Sequence, residues 1–173
     1  MLYAAYGSNM NINQMAYRCP NSKVVGKGFI ENYKLKFSFH ANIIPEEGKE
    51  VPVVLWEIPE IDFVYLDVYE GVKGGYYKRV NLPVKTNRGT KTAIVYVMCS
   101  DHEFSMPSEN YYWIIKQGYK DNKISQRYLY NAIIECAEEE DLLYWVRKLE
   151  MIMFVLFALD IQKSVFVTLI QCL

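Results

Sequence analysis

Residues 2–9 read Leu-Tyr-Ala-Ala-Tyr-Gly-Ser-Asn, a short and mostly apolar run that ends in a glycine and two small polar residues. This pattern indicates a buried strand that leads into a tight turn. Gly7 permits a backbone with positive φ, while Ser8 and Asn9 bring short polar groups to the turn. The N–H groups of a helix that starts here could hold a carboxylate or a developing oxyanion. An ordinary strand-to-helix turn, with Asn9 or Asn11 as N-cap, explains the same residues.

Strand patterns continue beyond this turn. Between Tyr33 and Phe39, apolar side chains at odd positions alternate with polar ones, as in a half-buried strand. Val51–Ile58 is a second strand candidate, and Pro52 favours its start or a sheet edge. Two further β-rich stretches are joined by residues tolerant of positive φ, and so predict a hairpin: Tyr77–Val84 and Thr92–Met98, with residues 87–89 between them.

Helix signals occur in four segments, each with apolar residues at helical spacing. They are a short helix capped by Asn11, with Ile12, Met15 and Ala16 on one face and Pro20 after it; a helix with Ile61, Val64, Tyr65 and Val68 that ends at Glu70 and Gly71; a helix capped by Ser108 with Tyr111, Ile114, Ile115, Gly118 and Tyr119 inside; and a last helix from near Ser125 that buries Leu129, Ala132, Ile133 and Cys136. The acidic run Glu138–Asp141 interrupts the last helix or marks a solvated turn. This order of elements predicts an α+β domain with a mixed or barrel-like sheet.

The chain divides into a domain and a tail. We expect one domain over residues 1–148 and an apolar C-terminal tail of unknown role over residues 149–173. The tail contains two apolar runs, Met151–Leu159 and Ser164–Leu173, each shorter than the ~18 residues that a membrane span needs. We favour an extra helix or strand that covers the core or a dimer face. Membrane attachment and an atypical terminus are the alternatives.

Composition and charge exclude several classes of protein. The 173 residues are 51% hydrophobic and 23% charged, which is typical of a folded domain. The net charge of -1 creates no field that would attract nucleic acid or an anionic membrane, so we expect neither as a partner. Because Met1–Met10 has no secretory signal, we expect a cytoplasmic protein. The chain has no CxxC pair, and reduced, mostly buried thiols are expected at Cys19, Cys99, Cys136 and Cys172.

Motifs for the common catalytic classes are absent. His40 and His102 lack metal-ligand spacing, and the chain has no GxSxG, GxGxxG or GxxxxGK, so we expect no metal and no cofactor. Gly74 and Gly75 are typical of a flexible turn rather than a phosphate cradle. We interpret His40 as structural or exposed.

One carboxylate, Glu70, remains as a candidate for chemistry beside the turn at Tyr6–Asn9. At the carboxyl end of a helix the macrodipole opposes an ionised carboxylate by ~0.3–1 kcal/mol, which raises its pKa. A solvated glutamate with Lys73 or Lys78 nearby explains the same position.

Three motifs together resemble the γ-glutamylcyclotransferase family. They are Tyr-Gly-Ser-Asn at Tyr6–Asn9, Leu-Asp-Val-Tyr-Glu-Gly-Val at Leu66–Val72 with Tyr77 downstream, and Pro107–Tyr111 running on through Ile114 and Ile115 to Gly118. The matches cover roughly Leu2 to Tyr130 in order, whereas the tail from about Lys148 matches nothing in the family pattern. Met10 stands where the family often has leucine.

The resemblance implies a small mixed β-barrel surrounded by helices. It also implies a metal-independent enzyme that cyclises a small γ-glutamyl compound to 5-oxoproline and releases the attached amino acid or amine, as in glutathione metabolism. The matching general acid/base is Glu70, and the matching substrate-binding residues are Tyr3, Ala4, Ala5, Tyr6, Gly7, Ser8, Asn9, Tyr77 and Tyr111.

The resemblance leaves the substrate open. Serine at position 8 is similar to the γ-glutamyl-amino-acid branch, whereas the γ-glutamylamine branch usually has threonine there. A tailoring cyclotransferase that removes a γ-glutamyl group from a specialised metabolite is one alternative. A non-catalytic module that binds a small acidic metabolite is another. The sequence does not fix the oligomeric state, and a homodimer is compatible with it.

Overall fold

The computed structural model describes residues 1–100, 103–142, 144, 147, 148, 150 and 151. The chain forms two compact units, Met1–Ala137 and Glu138–Leu173. The strands and helices of the first unit are β1 Leu2–Ala5, α1 Ile12–Arg18, β2 Lys23–Ser38, β3 His40–Glu57, α2 Glu60–Tyr69, β4 Tyr77–Thr86, β5 Gly89–Met98, α3 Glu109–Asp121, and α4 over residues 127–137. Short 3₁₀ turns occupy Ser8–Met10 and Val72–Gly74.

The five strands form a closed barrel in the order β1-β3-β2-β4-β5. Strand β1 is antiparallel to β3 and is joined to β5 by a parallel pairing of Tyr3 with Ile94. The barrel is therefore mixed, as predicted, and the predicted hairpin is β4–β5. The Gly7 turn directly follows the carboxyl end of β1, so β1 places this turn at one end of the barrel.

Strands β2 and β3 are long, and their shared ladder has register shifts after Val24 and after Glu31. Such irregularities bend a ladder, which a small barrel requires for closure. Strand β1 pairs with β3 only from Val54 to Glu57, so Pro52 lies beyond that pairing and its missing N–H costs no ladder bond on that side.

The alternation predicted for Tyr33–Phe39 is wrong at its end. Lys36 and Ser38 are only 6% and 4% exposed, whereas Phe39 is 67% exposed. The supposed outer face is covered because residues 104 and 105 pack against it: the Lys36 ammonium lies 4.5 Å from the centre of the Phe104 ring, and Ser38 bridges to Ser105. Phe39 itself has φ of 60° between β2 and β3.

Helices α1 and α2 bury different faces from those that the sequence predicts. Asn11 caps α1 as predicted, since its side chain accepts a hydrogen bond from the Gln14 N–H, but of the predicted face only Met15 is buried. Helix α2 buries Asp62, Phe63 and Leu66 and leaves the predicted apolar set exposed. The Asp62 carboxylate explains this rotation, because both of its oxygens accept hydrogen bonds from Asn21.

The carboxyl-terminal predictions have mixed outcomes. Helix α4 buries Leu129, Ala132 and Cys136 as expected, but the acidic run interrupts nothing, since residues 138–142 are helical. Glutamate is a good helix former on a solvated face. Among the other cysteines, Cys19 is buried, Cys99 is exposed and Cys172 lies outside the described residues. Tail residues 152–173 lie outside them too. In the described part of the chain, no helix is both long and apolar enough to cross a bilayer.

Gly118 sets how closely α3 approaches the segment that follows the turn. A Cβ added at this glycine would lie 2.7 Å from the Asn11 nitrogen and 2.8 Å from the Met10 carbonyl carbon. Asn122 extends the same contact, because its side-chain amide donates to the Met10 carbonyl at 2.8 Å. The glycine therefore fixes α3 against the backbone next to the turn.

Replacing Gly118 by alanine should reduce the free energy of unfolding by about 2–4 kcal/mol, because backbone atoms rather than a mobile side chain occupy the space. Urea unfolding measures this change. The matched control is Gly74→Ala, where an added Cβ meets nothing within 4 Å. A loss at Gly118 no larger than that of the control would contradict the close approach.

Candidate active site

One small cleft brings most of the predicted site residues together. It has about 280 Å³ of empty space and is lined by Tyr3, Tyr6, Gly7, Ser8, Asn9, Ala41, Glu70, Tyr77, Tyr96 and Tyr111. Eight of the ten predicted residues are in this set. Ala4 and Ala5 are not, because both are fully buried in β1.

Gly7 is needed for space rather than for a positive φ. Its φ is -110°, so the expectation of a left-handed backbone is wrong. A Cβ at this position would lie 3.2 Å from the Ala41 Cβ and 3.4 Å from the Tyr111 hydroxyl, so a side chain would press on two residues that line the cleft. The first N–H groups of the 3₁₀ turn that follows have no partner within that turn.

Glu70 reaches the cleft because α2 ends abruptly. Glu70 is the C-cap of the helix, and Gly71 follows in the left-handed conformation with φ of 65°. A Cβ at Gly71 would also approach the Tyr76 Cβ to 3.2 Å. Glycine suits both the positive φ and the close approach of Tyr76, because it has no Cβ. The chain therefore reverses directly after the carboxylate, which leaves Glu70 at the helix end beside the turn.

The Glu70 carboxylate is held from the turn rather than by a lysine. Its Oε1 accepts a hydrogen bond of 2.7 Å from Asn9 Nδ2, which also donates to the Tyr3 hydroxyl at 2.9 Å. Removal from water raises the pKa of Glu70 to about 7, against the lowering effects of Asn9 and the Arg18 charge. Burial is therefore the main cause, where the sequence had suggested the helix macrodipole. A carboxyl group with this pKa can both accept and return a proton near neutral pH.

The raised pKa has a consequence for stability. Its folded value lies above the usual value of 4.5, so the ionised form is penalised in the folded state and stability falls as the pH rises from about 4.5 to about 7. Replacing Glu70 by glutamine should therefore raise the free energy of unfolding by about 2–3 kcal/mol at about pH 8 and change it little at about pH 4. Chemical denaturation at the two pH values measures this difference, and an equal effect at both would contradict a buried, ionised Glu70.

Arg18 is a site residue that the sequence analysis missed. Its Nη1 donates to the Ser8 hydroxyl at 3.0 Å and to the Asn9 side-chain oxygen, and its Nη2 donates to the Tyr69 hydroxyl. The guanidinium carbon also lies 3.6 Å from the centre of the Tyr69 ring. Arg18 therefore orients the Asn9 amide so that its NH₂ group faces Glu70. Nothing in a lone arginine at the end of a short helix signals this role.

Replacing Arg18 by glutamine should move the acid limb of the pH profile of kcat/KM upward by on the order of one pH unit, because a cation that favours ionised Glu70 is lost. Arg18→Lys should restore part of the shift, since it keeps the charge but not the planar fork. A merely structural role would lower kcat/KM at all pH values alike. An unshifted profile in Arg18→Gln would contradict the electrostatic role.

The tyrosines of the cleft are held by hydrogen bonds to backbone groups. The hydroxyls of Tyr6 and Tyr77 each donate at 2.6 Å, to the carbonyls of Tyr96 and Ala41 respectively. The Ala41 N–H donates to the Tyr111 hydroxyl at 3.3 Å. Burial raises the pKa of all three, that of Tyr111 to about 12. The hydroxyls are therefore neutral at physiological pH and give the cleft a fixed polar wall.

Asp67, in the same Leu66–Val72 motif as Glu70, has a positioning role. Its two oxygens accept hydrogen bonds of 2.7 Å each from Arg79 Nε and Nη2, and Oδ1 also accepts one from the Tyr96 hydroxyl at 2.7 Å. These bonds tie α2 to strands β4 and β5. The aspartate thereby fixes the helix that presents Glu70, three residues further on.

An aromatic group with one imidazole lies beside the cleft. His40 Nδ1 is 2.8 Å from the Tyr76 hydroxyl, and the His40 ring meets that of Tyr111 edge to face at 5.2 Å. Tyr76 in turn contacts Tyr77 at 5.1 Å. Partial burial lowers the pKa of His40, so the ring is mainly neutral near pH 7. These contacts agree with the structural interpretation of His40.

A second, wider cleft lies away from these residues, between the tip of the β4–β5 hairpin and residues 123–128. The one carboxylate among its lining residues, Glu50, accepts a hydrogen bond of 2.6 Å from the Tyr128 hydroxyl. None of the residues of the Tyr6–Asn9 turn lines this cleft. In the described part of the chain, no cluster of three His, Cys, Asp or Glu side chains could hold a metal ion. Of the two clefts, the Glu70 cleft is the one that combines a carboxylate with the Gly7 turn.

Known proteins resemble this chain in sequence and in fold. A model of the AIG2-like family matches residues 50–131. The γ-glutamylcyclotransferase of Mus musculus is 30% identical over 139 residues, which cover 73% of this chain and 74% of the mouse protein, and that of Homo sapiens gives the same figures. A solved structure of a γ-glutamyl cyclotransferase has a TM-score of 0.70 and 29% identity, over 76% of this chain and 85% of its own.

Proposed function

This chain belongs to the γ-glutamylcyclotransferase family and is an enzyme of that type, and from that premise we propose that Glu70 is its general acid/base. The proposed substrates are γ-glutamyl amino acids, which yield 5-oxoproline and the free amino acid. The observation that supports the proposal best is the Glu70 carboxylate with a pKa of about 7, held by Asn9 in a cleft beside the Gly7 turn.

The substrate brings its own nucleophile. Its α-amine attacks its γ-carbonyl carbon and closes a five-membered lactam, so the reacting atoms are already in one molecule. Glu70 first takes a proton from the α-ammonium group, which frees the nitrogen lone pair that attacks, and it gives that proton to the departing nitrogen as the old amide bond breaks. The attacking nitrogen loses its second proton to water as the lactam forms, and the released amine takes up a proton from water, so Glu70 ends the cycle ionised. No water is consumed and no covalent enzyme intermediate is formed.

The developing oxyanion needs donors that are fixed before the reaction. The N–H groups around Gly7 and Ser8 are the proposed donors, because they open the 3₁₀ turn that lines the cleft. The Ser8 hydroxyl accepts a hydrogen bond from Arg18 and is also bonded to the Tyr111 hydroxyl, so the turn is held from both sides.

The experiment is an assay of the purified protein with several γ-glutamyl dipeptides, glutathione and γ-glutamyl-lysine, following 5-oxoproline. Turnover of the dipeptides is the expected result. Turnover confined to γ-glutamyl-lysine would contradict the amino-acid substrates and favour the amine branch. Binding of all these compounds without 5-oxoproline would contradict the proposed reaction.

A further inference from the structure

The wider cleft between the β4–β5 hairpin and residues 123–128 follows the edge of a strand rather than one face of the sheet. Successive side chains of a strand point to opposite faces, so a face supplies only every second residue to a cleft. The lining here includes the consecutive residues 25–29 of β2 and 85–88 at the end of β4. The backbone edges of these strands therefore border the cleft. We call this site the hairpin cleft.

Strand β2 has an open edge inside the hairpin cleft. Among the residues that the structure describes, β2 and β4 share a single pair, Phe29 with Lys85. Strand β4 ends at Thr86, one residue further on, whereas β2 reaches back to Lys23 and pairs over that stretch with β3. The edge of β2 at residues 25–27 is therefore available to a further strand.

Cations surround this open edge. The hairpin cleft is lined by one carboxylate and by five cationic side chains: Lys27, Lys85, Arg88, Lys91 and Lys123. Lys27 Nζ donates to the carbonyls of Asn122 and Lys123 at 3.1 Å each. Lys85 Nζ lies 2.6 Å from a Glu31 oxygen. The other three side chains are exposed and form no ion pair within the described residues. A chain whose net charge is -1 thus concentrates positive charge in one place.

The hairpin cleft also has apolar groups and room for a chain segment. Val25 is 46% exposed. The rings of Phe29 and Tyr128 are in contact, with their centres 5.9 Å apart, and Ile124 lines the cleft as well. The empty space is about 1670 Å³, against about 280 Å³ in the Glu70 cleft. A matching ligand therefore combines negative charges with apolar groups and is larger than the glutamyl group of the proposed substrate.

We propose that the hairpin cleft binds an acidic, extended peptide segment of another protein, which adds as a strand to the edge of β2. Main-chain hydrogen bonds to residues 25–27 supply affinity. Carboxylates of the segment pair with Arg88, Lys91 and Lys123 and supply selectivity. A second copy of this edge is disfavoured as the occupant, because it would bring like charges together.

Fluorescence anisotropy tests the site with the full chain and a labelled heptapeptide of alternating glutamate and valine. Saturable binding is the expected result, and the same peptide with lysine in place of glutamate should bind at least about tenfold more weakly. Equal binding of the two peptides, or no saturable binding of the acidic one, would overturn the proposal. Inorganic tripolyphosphate that binds as tightly as the acidic peptide would assign a general anion site and overturn it too.

A pair of matched variants locates the binding. Lys91→Glu should weaken binding of the acidic peptide about tenfold, because an attraction becomes a repulsion. The control is Lys78→Glu, since Lys78 is an exposed lysine at the other end of the same hairpin and does not line the cleft. This variant should bind within about twofold of the unmodified chain. Equal weakening by both variants would overturn the assignment to the hairpin cleft.

Strand addition has its own test in the peptide backbone. The N–H groups of alternate residues of a strand point to opposite edges, and only one edge of the peptide can pair with β2. N-methylation of the glutamates and N-methylation of the valines therefore block different edges. One methylated peptide should lose binding and the other should keep it within about threefold; any other pattern would overturn strand addition. None of these readouts depends on enzymatic activity, so the result is independent of the proposed function.

Discussion

Replacing Glu70 by glutamine should lower kcat for 5-oxoproline formation by roughly 10²- to 10⁴-fold, the range that a positioned acid/base contributes. Glutamine keeps the shape of the side chain and can still accept the hydrogen bond from Asn9. It cannot take the proton from the α-ammonium group or return it to the leaving nitrogen. Steady-state kinetics with a γ-glutamyl dipeptide measure the loss, which should appear in kcat more than in KM.

The matched control for this variant is Glu47→Gln. Glu47 is an exposed glutamate of β3, outside the set of residues that line the cleft. The same chemical change there should leave kcat within about twofold of the unmodified enzyme. Circular dichroism of both variants shows whether the fold is retained. Undiminished turnover in folded Glu70→Gln would remove Glu70 from the mechanism.

The pH profile of kcat/KM should have an acid limb with a midpoint at about pH 7. Burial raises the pKa of Glu70 to about 7, and only the ionised form can accept the substrate's proton. Below that midpoint kcat/KM should fall about tenfold per pH unit, and so about 100-fold by about pH 5. Initial rates at low substrate concentration across this range measure the limb.

The acid limb needs one control, because acid also unfolds proteins. Intrinsic fluorescence at each pH separates loss of fold from loss of ionised Glu70. Neutral Glu70 is the better tolerated form in a desolvated site, so protonation of this group stabilises the fold as the pH falls from about 7 to about 4.5. A profile that stays flat down to about pH 5 in folded enzyme would contradict a base with the raised pKa.

Much of the site was predictable because it depends on short, local signals. The strand before Gly7, the helix that has Glu70 as its C-cap, and Gly71 after it each follow from patterns within a few residues. The resemblance of these motifs to one family then placed them on a small mixed barrel. The closed strand order and the β4–β5 hairpin agree with that expectation.

The errors arise where a distant contact decides the outcome. Helix α2 offers two apolar sets, and the sequence favours the larger one; the structure buries the smaller set, because Asp62 has its partner in Asn21 and Asp67 has its partners in Arg79 and Tyr96. No periodicity shows such partners. The same holds for Arg18, which is linked to Glu70 only through Asn9.

The central claim is that the Glu70 carboxyl group titrates near neutral pH inside the cleft. An NMR titration of the side-chain carboxyl carbons measures this directly, and Glu70→Gln assigns the Glu70 signal by its disappearance. We predict a midpoint at about pH 7 for Glu70, matching the acid limb of kcat/KM. A midpoint near 4.5, the usual value for a glutamate in water, would contradict the account.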